Sequence, residues 1–139
     1  MPQKITLTAE ELVRQAKSEI KEYTVEEVMA KAGDEGVVLV DIRDPRELTR
    51  EGKLPGAFHC PRGMLEFWIS PESPYHKDVF AQDKEYVFFC AGGLRSALAA
   101  KQAQDMGLKP VAHMIGGFGG WKKAGGAVVD TDAPMPSKS

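Results

Sequence analysis

The sequence has 139 residues, of which 42 % are hydrophobic and 27 % are charged, and its formal net charge is −2. These values are typical of one soluble globular domain that is long enough to bury a core without disulfides. The sequence shows no basic stripe with interleaved aromatic residues, no apolar run near the roughly 20 residues of a membrane span and no signal-peptide core, so we expect a cytoplasmic protein without nucleic-acid or membrane partners.

Helix-capping signals occur three times in the first 50 residues. They are Thr8 with Glu11, Thr24 with Glu27, and Asp44 followed by Pro45. Each precedes a short segment with apolar residues at helical spacing, so the sequence predicts three helices here. Between the second and third lies Val37-Val38-Leu39-Val40, a continuous apolar run typical of a strand buried on both faces of a parallel sheet. A further helical pattern runs from Arg62 to Ile69.

The second half of the chain repeats the alternation of strand and helix. Tyr86-Val87-Phe88-Phe89 predicts another buried strand, Ser96 to Met106 a helix, and Val111 to Ile115 a third long strand. A glycine-rich stretch and a last short helix around Trp121 follow. This alternation predicts an α/β domain with a mostly parallel sheet and helices on both faces, in which functional sites form at the carboxyl ends of the strands.

The segment that carries candidate chemistry runs from Cys90 to Arg95, directly after a predicted strand and before a predicted helix. Free N–H groups at the helix start, together with Gly92 and Gly93, would surround the sulfur of Cys90 with donors and favour the thiolate. Arg95 would add a permanent positive charge. A buried, inert cysteine at a strand end is the simpler interpretation, but the combination of strand end, paired glycines, arginine and helix favours function.

The chain resembles the rhodanese homology domain family from about residue 23 to residue 124. Four motifs in the family's order carry the resemblance. They are Leu39-Val40-Asp41-Ile42-Arg43; Gly52-Lys53-Leu54-Pro55-Gly56-Ala57, with Lys53 where the family has His; Cys90 to Arg95; and Gly116-Gly117 with Trp121. The resemblance implies a single domain over residues 23–126 with a five-stranded, mostly parallel sheet. It leaves 1–22 as an N-terminal helical extension and 127–139 as a flexible C-terminal tail.

The resemblance also implies sulfur transfer by double displacement. A donor, thiosulfate or a persulfide, would give a sulfane sulfur to Cys90, and a thiol or cyanide would accept it from the resulting persulfide. The residues that would form the anion-binding loop are Ala91, Gly92, Gly93, Leu94 and Arg95. Asp41 and Arg43 would support the loop, although a purely structural ion pair explains them equally well. No metal and no other cofactor is implied, the donor and acceptor would be small molecules or proteins, and the oligomeric state stays open.

Three alternatives remain at this stage. A cysteine phosphatase or arsenate reductase also uses a cysteine-to-arginine loop, but with five intervening residues, whereas four separate Cys90 from Arg95. A persulfide relay or sensing module serving a protein partner would keep the same loop. Cys60 could act as a resolving thiol for Cys90, although most such cysteines are buried and inert. Since Arg95 is the loop's one charged residue, we also expect thiosulfate, a dianion, to be a poor donor.

Overall fold

The computed structural model describes residues 2–130, which form six α-helices and five β-strands. The helices are α1 (Ala9–Glu19), α2 (Val25–Lys31), α3 (Pro45–Glu51), α4 (Leu65–Ile69), α5 (Leu94–Asp105) and α6 (Gly117–Lys123). The strands are β1 (Lys21–Tyr23), β2 (Val37–Asp41), β3 (Phe58–His59), β4 (Glu85–Phe89) and β5 (Val111–Met114). Two 3-10 turns, Arg62–Met64 and Asp78–Ala81, complete the regular structure of this part of the chain.

All five strands are parallel and lie in one sheet in the order β1-β5-β4-β2-β3. Successive side chains of β4 point to opposite faces of the sheet and pack into two separate layers of the core. Tyr86 and Phe88 face a cluster that includes residues of α4 and α5, while Val87 and Phe89 face a cluster that includes residues of α2 and α6. The predicted α/β domain with a five-stranded parallel sheet and helices on both faces is therefore confirmed.

Most of the predicted helix starts are present. Thr24 and Glu27 form a reciprocal capping box, and Asp44 and Glu47 form another at the start of α3. At α1, Thr8 accepts a hydrogen bond from the backbone of Glu11, but the Glu11 carboxylate turns to its own helix. The predicted capping box thus keeps its Thr8 hydrogen bond, while the Glu11 side chain bonds to Arg14 and Gln15 instead of the N-cap backbone.

Two predicted helices have different bounds in the structure. The segment from Arg62 begins as a 3-10 turn and becomes α-helical only at Leu65. Helix α5 begins at Leu94 rather than Ser96, because Gly93 adopts a left-handed backbone, with φ 106°, and serves as its N-cap. The start of α5 thereby lies inside the loop that follows Cys90.

The N-terminal helix packs on the body of the domain. Val13 and Ala16 of α1 form a buried cluster with Ala97 of α5. Within residues 2–130, no helix is both long and apolar enough to cross a membrane. At the other end, Val129 pairs with Lys53 in an isolated antiparallel bridge, whereas residues 131–139 of the expected flexible tail lie outside the described residues.

Candidate active site

The loop after β4 turns its backbone donors toward the sulfur of Cys90. The amide nitrogen of Gly93 lies 3.1 Å from Sγ, and that of Ser96 lies 3.3 Å from it. Both donors belong to the N-cap and first turn of α5, where N–H groups have no partner within the helix and the helix dipole favours negative charge. The positive φ of Gly93 makes this turn possible, whereas Gly92 has no left-handed backbone. The loop therefore holds Sγ as a hydrogen-bond acceptor, which suits a sulfur anion.

Helix α6 holds the same loop from its other side. Phe118 donates its backbone N–H to the carbonyl of Cys90 at 2.7 Å, and Gly119 donates to the carbonyl of Ala91 at 3.0 Å. Gly117 makes this approach possible, because a Cβ there would lie 2.4 Å from the Cys90 carbonyl oxygen. The closing glycine motif noticed in the sequence thus fixes the peptide groups of the cysteine loop.

Cys90 is almost completely buried, since only 1 % of its surface is exposed. It belongs to the apolar cluster on the α5 side of the sheet, and the backbone of Gly93 and Ser96 lies against its sulfur. A second sulfur bonded to Sγ would extend about 2 Å further. Any partner that accepts sulfur would then meet this outer atom rather than Sγ itself.

A chain of buried polar side chains leads from the sulfur to the edge of the sheet. Sγ of Cys90 lies 3.6 Å from the Ser96 hydroxyl, which lies 2.9 Å from Nδ1 of His113. Nε2 of His113 lies 2.8 Å from a carboxylate oxygen of Glu22. The sequence predicts a functional role for none of Ser96, His113 and Glu22. A histidine inside an apolar strand was the available signal, since a buried imidazole needs hydrogen-bond partners.

Arg95, which the sequence predicts to add a positive charge to the loop, forms an ion pair. Its guanidinium forms two hydrogen bonds with the carboxylate of Glu47 in α3, at 2.8 and 3.0 Å. This pairing is the main reason that the pKa of Glu47 falls from 4.5 to about 2. The positive charge of Arg95 is therefore largely compensated, and the residue joins α3 to the first turn of α5.

Asp41 and Arg43 form a buried ion pair. The guanidinium of Arg43 contacts both carboxylate oxygens of Asp41, with the shortest distance 2.8 Å, and also donates to the carbonyl of Gly52. Its carbon centre lies 4.1 Å from the ring centroid of Phe118 in α6. The pair thus connects the end of β2, the turn after α3 and the helix that holds the cysteine loop.

An open cavity of about 590 Å³ borders the loop, and two lysines that were not predicted as site residues contribute to its lining. Ala91 and Gly92 form one wall, and Lys122 and Lys123 of α6 lie at its edge. Neither lysine forms an ion pair with another residue of the range 2–130. An anion approaching the loop would meet these two cations.

Cys60 has the environment of an inert thiol. Its side chain is fully buried, and burial raises its pKa to about 12. At neutral pH it is therefore protonated and a poor nucleophile. Among the described residues, no group of three or more His, Cys, Asp or Glu side chains is arranged to hold a metal ion.

Known proteins that resemble this chain include rhodanese-like domains and sulfurtransferases. The family model of the rhodanese-like domain matches residues 24–124. RDL2, a mitochondrial thiosulfate sulfurtransferase of Saccharomyces cerevisiae, is 31 % identical, over 78 % of this chain and 77 % of its own. A sulfurtransferase of Allochromatium vinosum is 30 % identical, over 70 % of this chain and 83 % of its own. Both of these relatives are named sulfurtransferases.

A solved structure from Rhodopseudomonas palustris is 60 % identical, with a TM-score of 0.90, and the match covers 93 % of this chain and 99 % of that one. It is described as a protein of unknown function and a possible tyrosine phosphatase. From the family match and the sequence relatives together, the chain belongs to the rhodanese-like domain family.

Proposed function

We propose that the protein is a sulfurtransferase that moves a sulfane sulfur from a donor to an acceptor through a persulfide on Cys90. The observation that carries this proposal is the pair of backbone amides, Gly93 and Ser96, that donate to Sγ within 3.3 Å. Such donors stabilise a sulfur anion, the form in which a cysteine is a nucleophile. The names of the relatives support the same class of reaction.

The transfer has two steps. The Cys90 thiolate attacks the sulfane sulfur of the donor, the S–S bond of the donor breaks, and its electron pair leaves with sulfite when thiosulfate is the donor. A thiolate or cyanide then attacks the outer sulfur of the persulfide, and the electron pair of that S–S bond returns to Sγ of Cys90. No net oxidation occurs, and the loop amides face the sulfur that carries negative charge before and after each cycle.

An intact-mass experiment combined with a thiocyanate assay tests the reaction class. Wild type incubated with thiosulfate or an organic persulfide is expected to gain one sulfur atom and to form thiocyanate when cyanide is added. Cys90→Ala is expected to do neither, whereas Cys60→Ala, which removes the buried thiol, is expected to keep both activities. A wild type that takes up no sulfur from any donor would contradict the proposal.

The structure changes the expectation for the donor. The prediction that thiosulfate is a poor donor assumed that Arg95 supplies the one charge near the loop, but Arg95 is paired with Glu47 and two lysines border the adjoining cavity. We therefore include thiosulfate and other anions among the donors. Replacing Lys122 and Lys123 together by Ala is expected to raise the Michaelis constant for thiosulfate severalfold at low salt, with the difference shrinking at high salt.

The matched control for this experiment is Lys109→Ala, an exposed lysine that precedes β5 at the opposite end of the strands. It is expected to leave the Michaelis constant unchanged. If the double lysine variant behaved like this control, the cavity would not be the entry for an anionic donor.

A cysteine phosphatase is the second candidate, favoured by the description of the Rhodopseudomonas palustris relative. Four residues separate Cys90 from Arg95, one fewer than in the phosphatase-type loop, and the guanidinium that would clamp a phosphoryl group is bound to Glu47. We therefore expect no significant hydrolysis of an aryl phosphate. Rapid hydrolysis that Cys90→Ser abolishes would favour the phosphatase instead.

A further inference from the structure

We propose that Ser96, His113 and Glu22 form a proton relay that takes up the proton of the Cys90 thiol and returns it when the anion is no longer needed. Ser96 contacts the reacting sulfur, and His113 and Glu22 are positioning residues that act through it. This inference deepens the proposed function, because the reaction requires the sulfur of Cys90 to be an anion.

The sheet places the members of the relay together. In the parallel pairing of β1 with β5, Glu22 stands directly opposite His113, so their side chains emerge on the same face of neighbouring strands. The first turn of α5 lies over this face and brings Ser96 to His113. Ser96 and His113 are buried, while 29 % of the Glu22 side chain is exposed. The relay therefore runs from a buried sulfur to a carboxylate that water reaches.

The three hydrogen bonds of the relay can all be donated in the same direction, from Cys90 toward Glu22. The Cys90 thiol donates to the Ser96 oxygen, the Ser96 hydroxyl donates to Nδ1 of His113, and Nε2–H of His113 donates to Glu22. In this arrangement the imidazole is neutral and protonated on Nε2. Burial lowers the pKa of His113, which agrees with a neutral ring in the resting protein.

The same number of protons allows a second arrangement. The S–H bond of Cys90 breaks, its electron pair stays on sulfur, and the proton moves to the Ser96 oxygen. The proton of the Ser96 hydroxyl moves to Nδ1 of His113 at the same time. The result is a thiolate, an intact serine hydroxyl that now donates to the sulfur, and an imidazolium that faces the carboxylate of Glu22.

Two charged groups act on the His113 ring in addition to the sulfur. Glu22 on β1 stabilises the imidazolium through its hydrogen bond and charge, and Lys17 on α1 destabilises it. Because burial disfavours an isolated imidazolium, the charge on His113 is expected to arise together with the negative charge on Cys90. This coupling distinguishes a relay from a set of structural hydrogen bonds.

Thiolate absorbance at a fixed neutral pH gives the decisive sign, because the second arrangement holds the same number of protons as the first. The signal of Cys90 is taken as the difference between each protein and its Cys90→Ala counterpart, and Cys60 does not contribute because its pKa is raised to about 12. If Glu22 acted only through space, Glu22→Gln would remove a negative charge and increase the fraction of Cys90 that is thiolate. The relay predicts the opposite, a severalfold fall in this thiolate fraction, since the imidazolium loses its partner.

Two further variants complete the test. Ser96→Ala keeps the backbone donor to the sulfur but removes the hydroxyl, and it is expected to lower the thiolate fraction by a similar factor. Glu26→Gln, which neutralises an exposed carboxylate on α2 that takes no part in the chain, is the matched control and is expected to leave the thiolate fraction unchanged. A thiolate fraction that rises or stays constant in both Glu22→Gln and Ser96→Ala would overturn the relay.

Nitrogen NMR of the His113 ring provides an independent readout. In the reduced protein at neutral pH, Nδ1 is expected to be protonated only in the fraction of molecules that hold the Cys90 thiolate, and this protonated fraction is expected to increase once Cys90 carries a persulfide anion. An unchanged Nδ1 signal in protein shown by mass to carry the extra sulfur would contradict the relay.

The absorbance measurement uses reduced protein without any sulfur donor, so its outcome does not depend on the transferase reaction. A wild type that never gains sulfur, but whose variants show the predicted changes in thiolate fraction, would refute the proposed function and leave the relay standing. A wild type that transfers sulfur, while Glu22→Gln and Ser96→Ala match it in thiolate fraction, would refute the relay alone.

Discussion

Gly117 is the residue on which the position of the cysteine loop depends most directly. Its φ is +60°, and a Cβ would lie 2.4 Å from the carbonyl oxygen of Cys90 and 2.7 Å from that of Ala91. Both contacts are with backbone, which cannot move without displacing the loop. We expect Gly117→Ala to lose most sulfur transfer and to lower the free energy of unfolding by about 3 kcal/mol, as measured by the thiocyanate assay and urea denaturation.

Gly92 supplies the matched control for this substitution. It lies in the same loop, its φ is not left-handed, and a Cβ there would meet no atom within 4 Å. Gly92→Ala is expected to change the free energy of unfolding by less than about 1 kcal/mol. Equal losses in the two alanine variants would mean that the contact between α6 and the loop does not set its geometry.

Asp41 is expected to contribute to the stability of the fold chiefly because it neutralises the charge of the buried Arg43. Asp41→Asn leaves a buried guanidinium without its countercharge, and removing one partner of such a pair destabilises by about 3–5 kcal/mol. The measurement is chemical denaturation at neutral pH. Asp44→Asn is the control, because Asp44 is 45 % exposed and asparagine caps a helix as well as aspartate does.

A loss in Asp41→Asn no larger than that in Asp44→Asn would show that the buried pair contributes little to stability. A large loss of stability with normal sulfur transfer per folded molecule would assign Asp41 to the structure rather than to the reaction. The sequence left these two roles open, and the 2.8 Å contact with Arg43 favours the structural one.

At the scale of single residues, the sequence indicates Cys90 as a candidate nucleophile but does not predict its surroundings. Cys90 could be selected because its neighbours in the sequence, a strand and a helix start, determine the local backbone. Ser96, His113 and Glu22 lie on three different elements, and only the register of β1 with β5 brings the last two together. Such contacts depend on pairing between strands that are far apart in the sequence, and a local sequence pattern does not predict this pairing.

The contact between α3 and α5 predicts a dependence of stability on pH. The pKa of Glu47 is 4.5 in the absence of partners and about 2 in the folded protein. Because the folded value is lower, the contribution of Glu47 is fully present above pH 4.5 and is lost as the pH falls toward 2. Since Arg95 is 44 % exposed, solvent screening limits this contribution to about 1 kcal/mol.

Glu47→Gln is therefore expected to lower Tm by a few degrees at neutral pH, and the difference from wild type should shrink steadily below pH 4.5. The control is Glu51→Gln, whose ion pair with Arg50 joins neighbouring residues of one helix end at the surface. A difference that stayed constant between neutral and acid pH would show that the charge of Glu47 is not responsible.

At the scale of elements, local chemistry was enough to predict most of the fold. The apolar runs over 37–40 and 86–89 became the central strands β2 and β4, and the capping residues at Thr24 and Asp44 mark helix starts in the structure. The start of α5 was placed two residues late, because its N-cap is Gly93. A glycine in a left-handed backbone leaves no side-chain capping signal in the sequence.

At the scale of the whole molecule, α1 lies outside the stretch of the family match, residues 24–124, yet it covers the helix that carries the loop. Ala16 of α1 is fully buried against α5, near Ala97. An arginine at position 16 would place an unpaired charge in this small apolar contact or separate the two helices. We expect Ala16→Arg to lower the free energy of unfolding by about 3 kcal/mol in urea denaturation.

Gln15→Arg places the same side chain one position away on the exposed face of α1, and there it is expected to change stability by less than about 0.5 kcal/mol. Because α5 also carries Ser96, which contacts both the sulfur of Cys90 and His113, displacing α5 should also change the thiolate fraction of Cys90 in Ala16→Arg. Equal stability of the two arginine variants would mean that α1 is not part of the folded core. A destabilised Ala16→Arg with an unchanged thiolate fraction would instead separate the packing of α1 from the chemistry of the loop.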